Sequence, residues 1–292
     1  MPLSARCTIC QAPAFAIGSK VGKWRSEEYH LVRCGSCAFA FVTNPSVDYE
    51  NIYSEEYYAG RGADKLVNYS FELENAAKTI RTFEWRGIQK IVGSLVPLDP
   101  NTRWLDYGCG SGGLVRYLRT KNIQADGYEQ SPIVPIARKM GIPILDSDDL
   151  LSRSGYYDVI SVIEVIEHLV EPRAFFEQVS RLLRPGGVAF FTTGNALPVR
   201  ANLLSWSYFI PEIHVGLYEP QSLEKILTLT GFQPRYLGWK AGYDDVITFK
   251  ILKNLRFDHT LPIFNLIPLS PVPYLADKKF GVSAFPIGIK AS

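Results

Sequence analysis

Arg103-Trp-Leu-Asp-Tyr-Gly-Cys-Gly-Ser-Gly-Gly113 is the stretch that decides the fold. A short run of strand formers meets a turn of four glycines, and Leu114 to Thr120 continues as a helix. A strand that enters a helix through such a turn presents backbone N–H groups and open space to a ligand. Downstream the pattern repeats. Ala125–Tyr128 is a second strand, Pro132–Met140 a helix, Ile142–Leu145 a short strand and Tyr157–Ile163 a fully buried strand. Pro172–Leu183 is a helix with proline in its first turn, Gly187–Thr193 is a fifth strand, and Glu219-Pro220 opens another helix that ends before Gly231. Alternating strands and helices predict a mostly parallel sheet with helices on its faces, an α/β fold.

Upstream, apolar residues from Phe71 to Val96 recur at three- and four-residue steps. They predict one amphipathic helix, stopped by Pro97. At the far end, residues 232–240 and 281–290 are expected to form an antiparallel pair that finishes the sheet, with Pro286 better suited to an edge strand.

The glycine loop admits two ligands. Gly108, Gly110 and Gly113 fit a dinucleotide fingerprint, whereas Asp106, Gly108, Gly110 and Gly112 fit a DxGxGxG pattern. Glu129, at the end of the second strand, could hold a ribose diol in either case. Asp106 separates them: a carboxylate repels a pyrophosphate but favours the ammonium and sulfonium of S-adenosylmethionine.

With that acid in place, the sequence resembles the class I S-adenosylmethionine-dependent methyltransferases. Trp104-Leu-Asp106-Tyr-Gly108-Cys-Gly110-Ser-Gly112-Gly113 is similar to their first motif and Gly127-Tyr-Glu129 to their second. Tyr157–Leu169 followed by Leu183-Arg-Pro-Gly-Gly187 is similar to their fourth- and fifth-strand region, and the stretch from His214–Leu223, ending in Thr230-Gly231-Phe232, also resembles the family. The resemblance covers about residues 71 to 250. It implies a Rossmann-like sheet, mostly parallel with the last strand antiparallel. It also implies a cofactor site in which Asp106, Gly108, Gly110 and Gly112 hold the methionine end, Glu129 the ribose and Asp146 the adenine, with Glu164 beside them.

Four of the five cysteines fall in the first 37 residues, as Cys7-Thr-Ile-Cys10 and Cys34-Gly-Ser-Cys37. Two CxxC turns can close a tetrahedron of thiolates around zinc, and such a closed site is structural. A redox dithiol is the alternative. Between the knuckles, Trp24 to Val32 is expected to be strand or hairpin, followed by a strand at Ala38–Val42. The domain reading is therefore a small zinc-ribbon head over 1–45, a Tyr-rich linker or lid over 46–70, and an S-adenosylmethionine-binding domain over 71–292. Tyr57 and Tyr58 of the linker are candidates to close over the cofactor. The head resembles that of a bacterial subgroup with some members in sugar pathways. No counterpart of the extra C-terminal domain of zinc-headed sugar C-methyltransferases is expected within these 292 residues, so their chemistry is not carried over.

Composition bounds the rest. Thirty-one Lys and Arg against 29 Asp and Glu give a net charge of +2, no electrostatic footprint for nucleic acid. The longest uncharged span, His259 to Ala276, holds four prolines and cannot be a membrane helix. The start carries no apolar run of signal-peptide length, so a cytoplasmic protein is expected. The expected reaction is in-line methyl transfer to a small-molecule acceptor. The sulfonium supplies the leaving group, and a hydroxyl acceptor needs a base. His214 and His168 are the candidates. His168 could instead order a helix face with Glu164, and His214 could simply bridge backbone. Trp206, Tyr208 and Phe209 could wall the acceptor or only pack, and Cys109 is expected to be filler. Two rival functions remain at this stage: an NAD-dependent nucleotide-sugar enzyme, and a zinc-headed binding protein with an inactive core.

Overall fold

The computed structural model describes residues 5–46, 69–237, 242–257, 259–260 and 285–290. The lid tyrosines Tyr57 and Tyr58 and most of the proline-rich span from 259 lie outside them. Four strands open the chain: β1 (Ala5–Arg6), β2 (Pro13–Val21), β3 (Glu28–Cys34) and β4 (Ala40–Val42). They pair antiparallel in sequence order. The strand expected at 24–32 begins at Glu28, because residues 22–27 form the turn between β2 and β3, closed by Gly22 N–H donating to Glu27 O at 2.8 Å.

The single helix expected over 71–96 is two, α1 (Tyr69–Glu74) and α2 (Arg81–Gly93). The break has a local cause. Asn75 O accepts from the N–H groups of Lys78 and Thr79, and the Thr79 hydroxyl accepts from Arg81 N. Thr79 also bridges His259 in an antiparallel pair. The polar residues at the break thus satisfy backbone groups outside the helical ladder. Arg81 ties the pieces together, donating to Glu72 at 2.8 Å and to Glu84 at 2.6 Å.

The alternating region follows as β5 (Arg103–Tyr107), α3 (Gly113–Arg119), β6 (Gln124–Tyr128), α4 (Val134–Lys139), β7 (Ile144–Leu145), α5 (Ser147–Ser152), β8 (Tyr157–Ile163), α6 (Pro172–Leu182) and β9 (Leu183–Thr192). Then come β10 (Gly216–Leu217), α7 (Pro220–Leu229), β11 (Phe232–Leu237), α8 (Tyr243–Asn254) and β12 (Phe285–Lys290). The large sheet has the order β11-β12-β9-β8-β5-β6-β7. The five strands from β9 to β7 are parallel and the β12 pairings are antiparallel. The expected α/β class and antiparallel finish are what the chain adopts. Parallel strands covered on both faces need apolar side chains on both, and Val159, Ile160 and Val162 of β8 are fully buried.

Two details depart from expectation. Pro286 does not lie on an edge strand, since β12 sits between β9 and β11. The ladder to β9 covers only Ile287–Ile289, so Pro286 lies just before it and its missing N–H breaks no pairing with β9. The helix α8 had no counterpart in the sequence reading. Its Tyr243, Val246 and Ile247 join α2 residues Trp85, Ile88 and Ile91 in one apolar cluster.

The head does not stand apart. β10 pairs antiparallel with β4, with Gly216 opposite Phe41 and Leu217 opposite Ala40, so the small sheet reads β1-β2-β3-β4-β10. Tyr29, Leu31, Ala40 and Val42 of the head share an apolar cluster with Leu203, Phe209, Val215 and Leu217. No described helix is long and apolar enough to cross a membrane.

Candidate functional site

Two neighbouring groups of polar side chains gather at the carboxyl ends of the parallel strands, where open α/β sheets place ligands. The first is built on β5 and β6. Gly108, Gly110 and Gly112 have φ of 78°, 53° and 74°, which L side chains adopt at a cost. A Cβ on Gly108 would lie 2.4 Å from Val165 and one on Gly110 2.9 Å from the Tyr69 ring. The loop is therefore shaped by its glycines and roofed by α1. Gly108 N and Cys109 N both donate to Tyr128 O, which pins the loop to β6.

Glu129 sits opposite. Its Oε2 accepts from Gly110 N at 2.8 Å, and its Oε1 accepts from Gln130 N at 2.9 Å and Ser131 N at 3.1 Å. Three backbone donors fix this carboxylate at the strand end. Asp106 is buried at the end of β5 and accepts from the Ser161 hydroxyl at 2.7 Å; Ser161 in turn accepts from Trp104 Nε1 at 2.9 Å. The parallel register sets Asp106 beside Ser161. Burial pushes the Asp106 carboxyl up to about 7, with the Ser161 hydrogen bond pulling the other way. Neither Ser161 nor Trp104 was singled out in the sequence. Both read there as ordinary core, and only register reveals that they orient the acid.

Asp146 caps α5, accepting from Asp149 N at 2.9 Å, and is otherwise exposed. Cys109 is buried, and burial drives its thiol well above the ordinary range; a Cβ on Gly127 would lie 2.6 Å from its sulfur. It fills space, as expected.

The second group forms where β8 and β9 end. Glu164 has φ of 52°, left-handed for a residue with a Cβ, and its N–H donates to Thr192 O. Glu164 and His168 therefore do not share a helix face, since only Ile166–His168 forms a single 3₁₀ turn. Glu164 lies beside Lys250 Nζ at 3.5 Å and the Tyr208 hydroxyl at 3.2 Å. Burial would raise its carboxyl, but the Lys250 and Lys253 ammoniums hold it down at about 2. Glu167 goes the other way: burial and the neighbouring Glu164 charge push it up to about 8. Its oxygens accept from Tyr208 Oη at 2.5 Å and Thr193 Oγ1 at 2.9 Å.

Although 46 positions separate them, His168 and His214 have ring centroids 5.0 Å apart. His168 Nδ1 lies 2.8 Å from Ile213 O, and His214 Nδ1 meets Tyr208 O. A carbonyl can only accept, so each ring carries a proton on Nδ1. Burial lowers the His168 pKa. Tyr208 stacks on His214 at 4.3 Å and meets Trp206 in a tilted pair at 4.8 Å, and its hydroxyl accepts from Gly194 N at 3.0 Å. Of the three aromatics flagged here, Tyr208 reaches the cluster and Phe209 is core. Glu167 was missed as a participant.

Two sets of described residues have donor atoms close enough to hold a metal ion, in each case within 4.8 Å of one another. One is Glu167, His168 and His214. The other is Cys7, Cys10, Cys34 and Cys37, with sulfurs 3.6 Å apart for Cys7 and Cys37 and 3.5 Å for Cys10 and Cys34. A tetrahedron of thiolates on zinc with bonds of about 2.3 Å has edges of about 3.8 Å. The Cys34 sulfur also accepts from Ser36 N and Cys37 N, as a knuckle thiolate would. The thiol set fits zinc.

The central part of the chain is similar to known proteins. Residues 76–237 match the family model described as a methyltransferase domain. Ubiquinone biosynthesis O-methyltransferase of Xanthomonas oryzae pv. oryzae (strain PXO99A) is 31% identical over 106 residues, 33% of this chain and 44% of that protein. Its counterpart from Rhizobium etli (strain ATCC 51251 / DSM 11541 / JCM 21823 / NBRC 15573 / CFN 42) is 27% identical over 177 residues, 51% of this chain and 71% of that protein. The chain thus spans less than half the length of the first of these relatives. Among solved structures, phosphoethanolamine N-methyltransferase 2 of Haemonchus contortus, titled as a complex with phosphomonomethylethanolamine and S-adenosylhomocysteine, aligns with a TM-score of 0.49 at 14% identity, over 85% of this chain and 62% of that one.

Proposed function

Because the chain belongs to the class I S-adenosylmethionine-dependent methyltransferase family, we propose that it transfers the methyl group of S-adenosylmethionine to a hydroxyl of a small-molecule acceptor, such as a sugar or polysaccharide precursor. The observation that carries this reading is the adjacency of two sites. An acid-and-glycine site on β5 and β6 suits the cofactor, and a histidine, carboxylate and tyrosine cluster on β8 and β9 suits an acceptor proton. Asp106 and backbone groups of the loop hold the methionine end, Glu129 the ribose and Asp146 the adenine end. Glu164 marks the border between the two sites. When bound, S-adenosylmethionine supplies an activated methyl group, so the protein's part is alignment and exclusion of water.

His214 is the proposed base. Its Nδ1 proton is held on Tyr208 O, which orients the ring, and Nε2 is the atom proposed to take the acceptor proton. His168 stands beside it as the second imidazole. The chain of curated relatives named for ubiquinone biosynthesis fits an O-methyl product but does not choose the acceptor. A second reading rests on the Glu167, His168 and His214 donor set. There these residues would hold a divalent cation, which would supply a Lewis acid for the acceptor oxygen, and His214 would be a ligand rather than the base. Methyl transfer to candidate acceptors, measured with and without chelator after dialysis, tests both: loss of transfer that is restored by a divalent cation favours the second. Co-purified S-adenosylhomocysteine would set aside the NAD-dependent alternative, and absence of transfer to any acceptor class would favour the binding-protein alternative. The four cysteines are proposed to hold a structural zinc in a head over 1–45, with a lid over 46–70 and the cofactor domain from 71 onward.

A further inference from the structure

The segment that carries Tyr208 and His214 is held from outside by the N-terminal hairpin. Lys20 on β2 donates from Nζ to Phe209 O at 2.7 Å and Trp206 O at 3.1 Å, and its ammonium lies 5.0 Å from the centroid of the Phe209 ring. Trp24 N, in the β2–β3 turn, donates to Glu212 Oε1 at 2.8 Å. Val42 N donates to Val215 O at 2.9 Å, where β4 meets β10. These anchors fall at 206, 209, 212 and 215, on either side of Tyr208 and His214. Within the segment, the Tyr208 carbonyl orients the His214 ring and the Tyr208 hydroxyl reaches Glu167.

We propose that Lys20 is a positioning residue for the acceptor site: by binding the Trp206 and Phe209 carbonyls it fixes the backbone that sets the Tyr208 and His214 rings. This rests on the function proposed above for its catalytic meaning, although the clamp itself does not. A lysine suits the task. One ammonium has three donors, can serve two carbonyls at once, and reaches them on an apolar stem laid along Phe209. Trp206 O already accepts from Phe209 N at 3.1 Å, and Lys20 adds a second donor there and supplies one to Phe209 O, a carbonyl of an irregular segment. Glu212 explains why the clamp lies here rather than along the hairpin. Its carboxylate is buried, with one oxygen on Trp24 N and the other without a hydrogen-bond partner among the described residues, so it draws positive charge toward this turn.

The test compares full-length wild type, Lys20→Met and Lys20→Arg. Lys20→Met keeps the stem and removes both hydrogen bonds; Lys20→Arg restores a cation with several donors. In Lys20→Met, hydrogen exchange across residues 205–214 should accelerate by about tenfold or more, the size expected when a hydrogen bond worth about 1.4 kcal/mol is lost. The Cε1–H resonance of His214 should move, while S-adenosylmethionine affinity stays within about twofold. Lys20→Arg should recover at least part of the wild-type exchange and resonance position. With an acceptor in hand, kcat should fall by up to about 10²-fold with the KM for S-adenosylmethionine unchanged. Unchanged exchange and an unmoved His214 resonance in a folded Lys20→Met overturn the proposal. So does equal loosening of Lys20→Met and Lys20→Arg, which would mean that any change at this position unpacks the hairpin. If wild type transfers no methyl group, the proposed function fails on that count alone, and the clamp is still decided by exchange and resonance.

Discussion

Gly110 gives its backbone N–H to the Glu129 carboxylate at 2.8 Å, so the middle of the glycine loop and the end of the next strand are tied together by the chain itself. Glu129→Ala therefore removes more than the proposed ribose contact. It also frees the N–H groups of Gly110, Gln130 and Ser131. A charge-assisted contact of this kind is worth about 1.5–3 kcal/mol, so S-adenosylmethionine affinity should fall by roughly 10- to 150-fold. Titration calorimetry on a variant with a native melting profile measures it. An unchanged dissociation constant would mean that Glu129 only braces the loop.

Asp106 should make cofactor binding pH-dependent. Its folded-state pKa is raised to about 7 by burial, so the neutral form is favoured in the protein alone. The stability this group contributes is fully present below about pH 4, near the free Asp value, and is lost as pH rises through about 7. A cationic ligand favours the ionised form. Affinity for S-adenosylmethionine should therefore weaken as pH falls below about 7, with proton release on binding near pH 6. Asp106→Asn should bind more weakly at pH 8 and lose this slope. Calorimetry in two buffers of different ionisation enthalpy reads the released proton directly.

His214→Ala should bind S-adenosylmethionine nearly normally and lose turnover by about 10²–10⁴-fold, the usual contribution of a positioned base. Melting temperature and single-turnover rate must come from the same preparation. If the ring merely bridges backbone to Tyr208 O, melting will drop and the rate per folded molecule will persist. In that case His168→Ala becomes the decisive variant.

Protein purified without chelator should contain one zinc per chain. Cys10→Ser should lower zinc content and accelerate hydrogen exchange in residues 5–46. The loss should extend to 215–217, because β10 is a strand of the head's sheet. Metal analysis and exchange on the same sample check this. A full zinc complement in the variant would remove Cys10 from the ligand set.

Much of this architecture could be read from the residues in order. The strand at 103–107, the acid and glycines after it and the buried run at 157–163 are local signals, and the chain keeps them nearly residue for residue. What escaped depends on distant partners. The break between Glu74 and Arg81 is made by side chains that turn back onto backbone, which apolar periodicity does not register. The helix over 243–254 mixes Asp244, Asp245, Lys250 and Lys253 with its apolar residues, and it gains its place only against α2. Ser161 looked like a small polar residue in a buried strand until register set it beside Asp106. Glu167 was hidden by its neighbours: one residue before His168, it looked like part of a motif, and only the fold brings Tyr208 and Thr193 to it.

The place of β12 bears on how the molecule is made. Residues 285–290 lie between β9 and β11, joined to β9 through Ile287–Ile289 and to β11 along six residue pairs. During synthesis the ribosome releases β9 about a hundred residues before that wedge arrives. Through that interval β9 has one unpaired border, a template for wrong strands, and β11 has no neighbour in the sheet. Expression temperature and chaperone supply should therefore govern yield more strongly than they would in a sheet closed in sequence order. A truncation that removes residues 285–290 should fail by aggregation of the nascent chain rather than by loss of the proposed cofactor site, whose residues all precede β9.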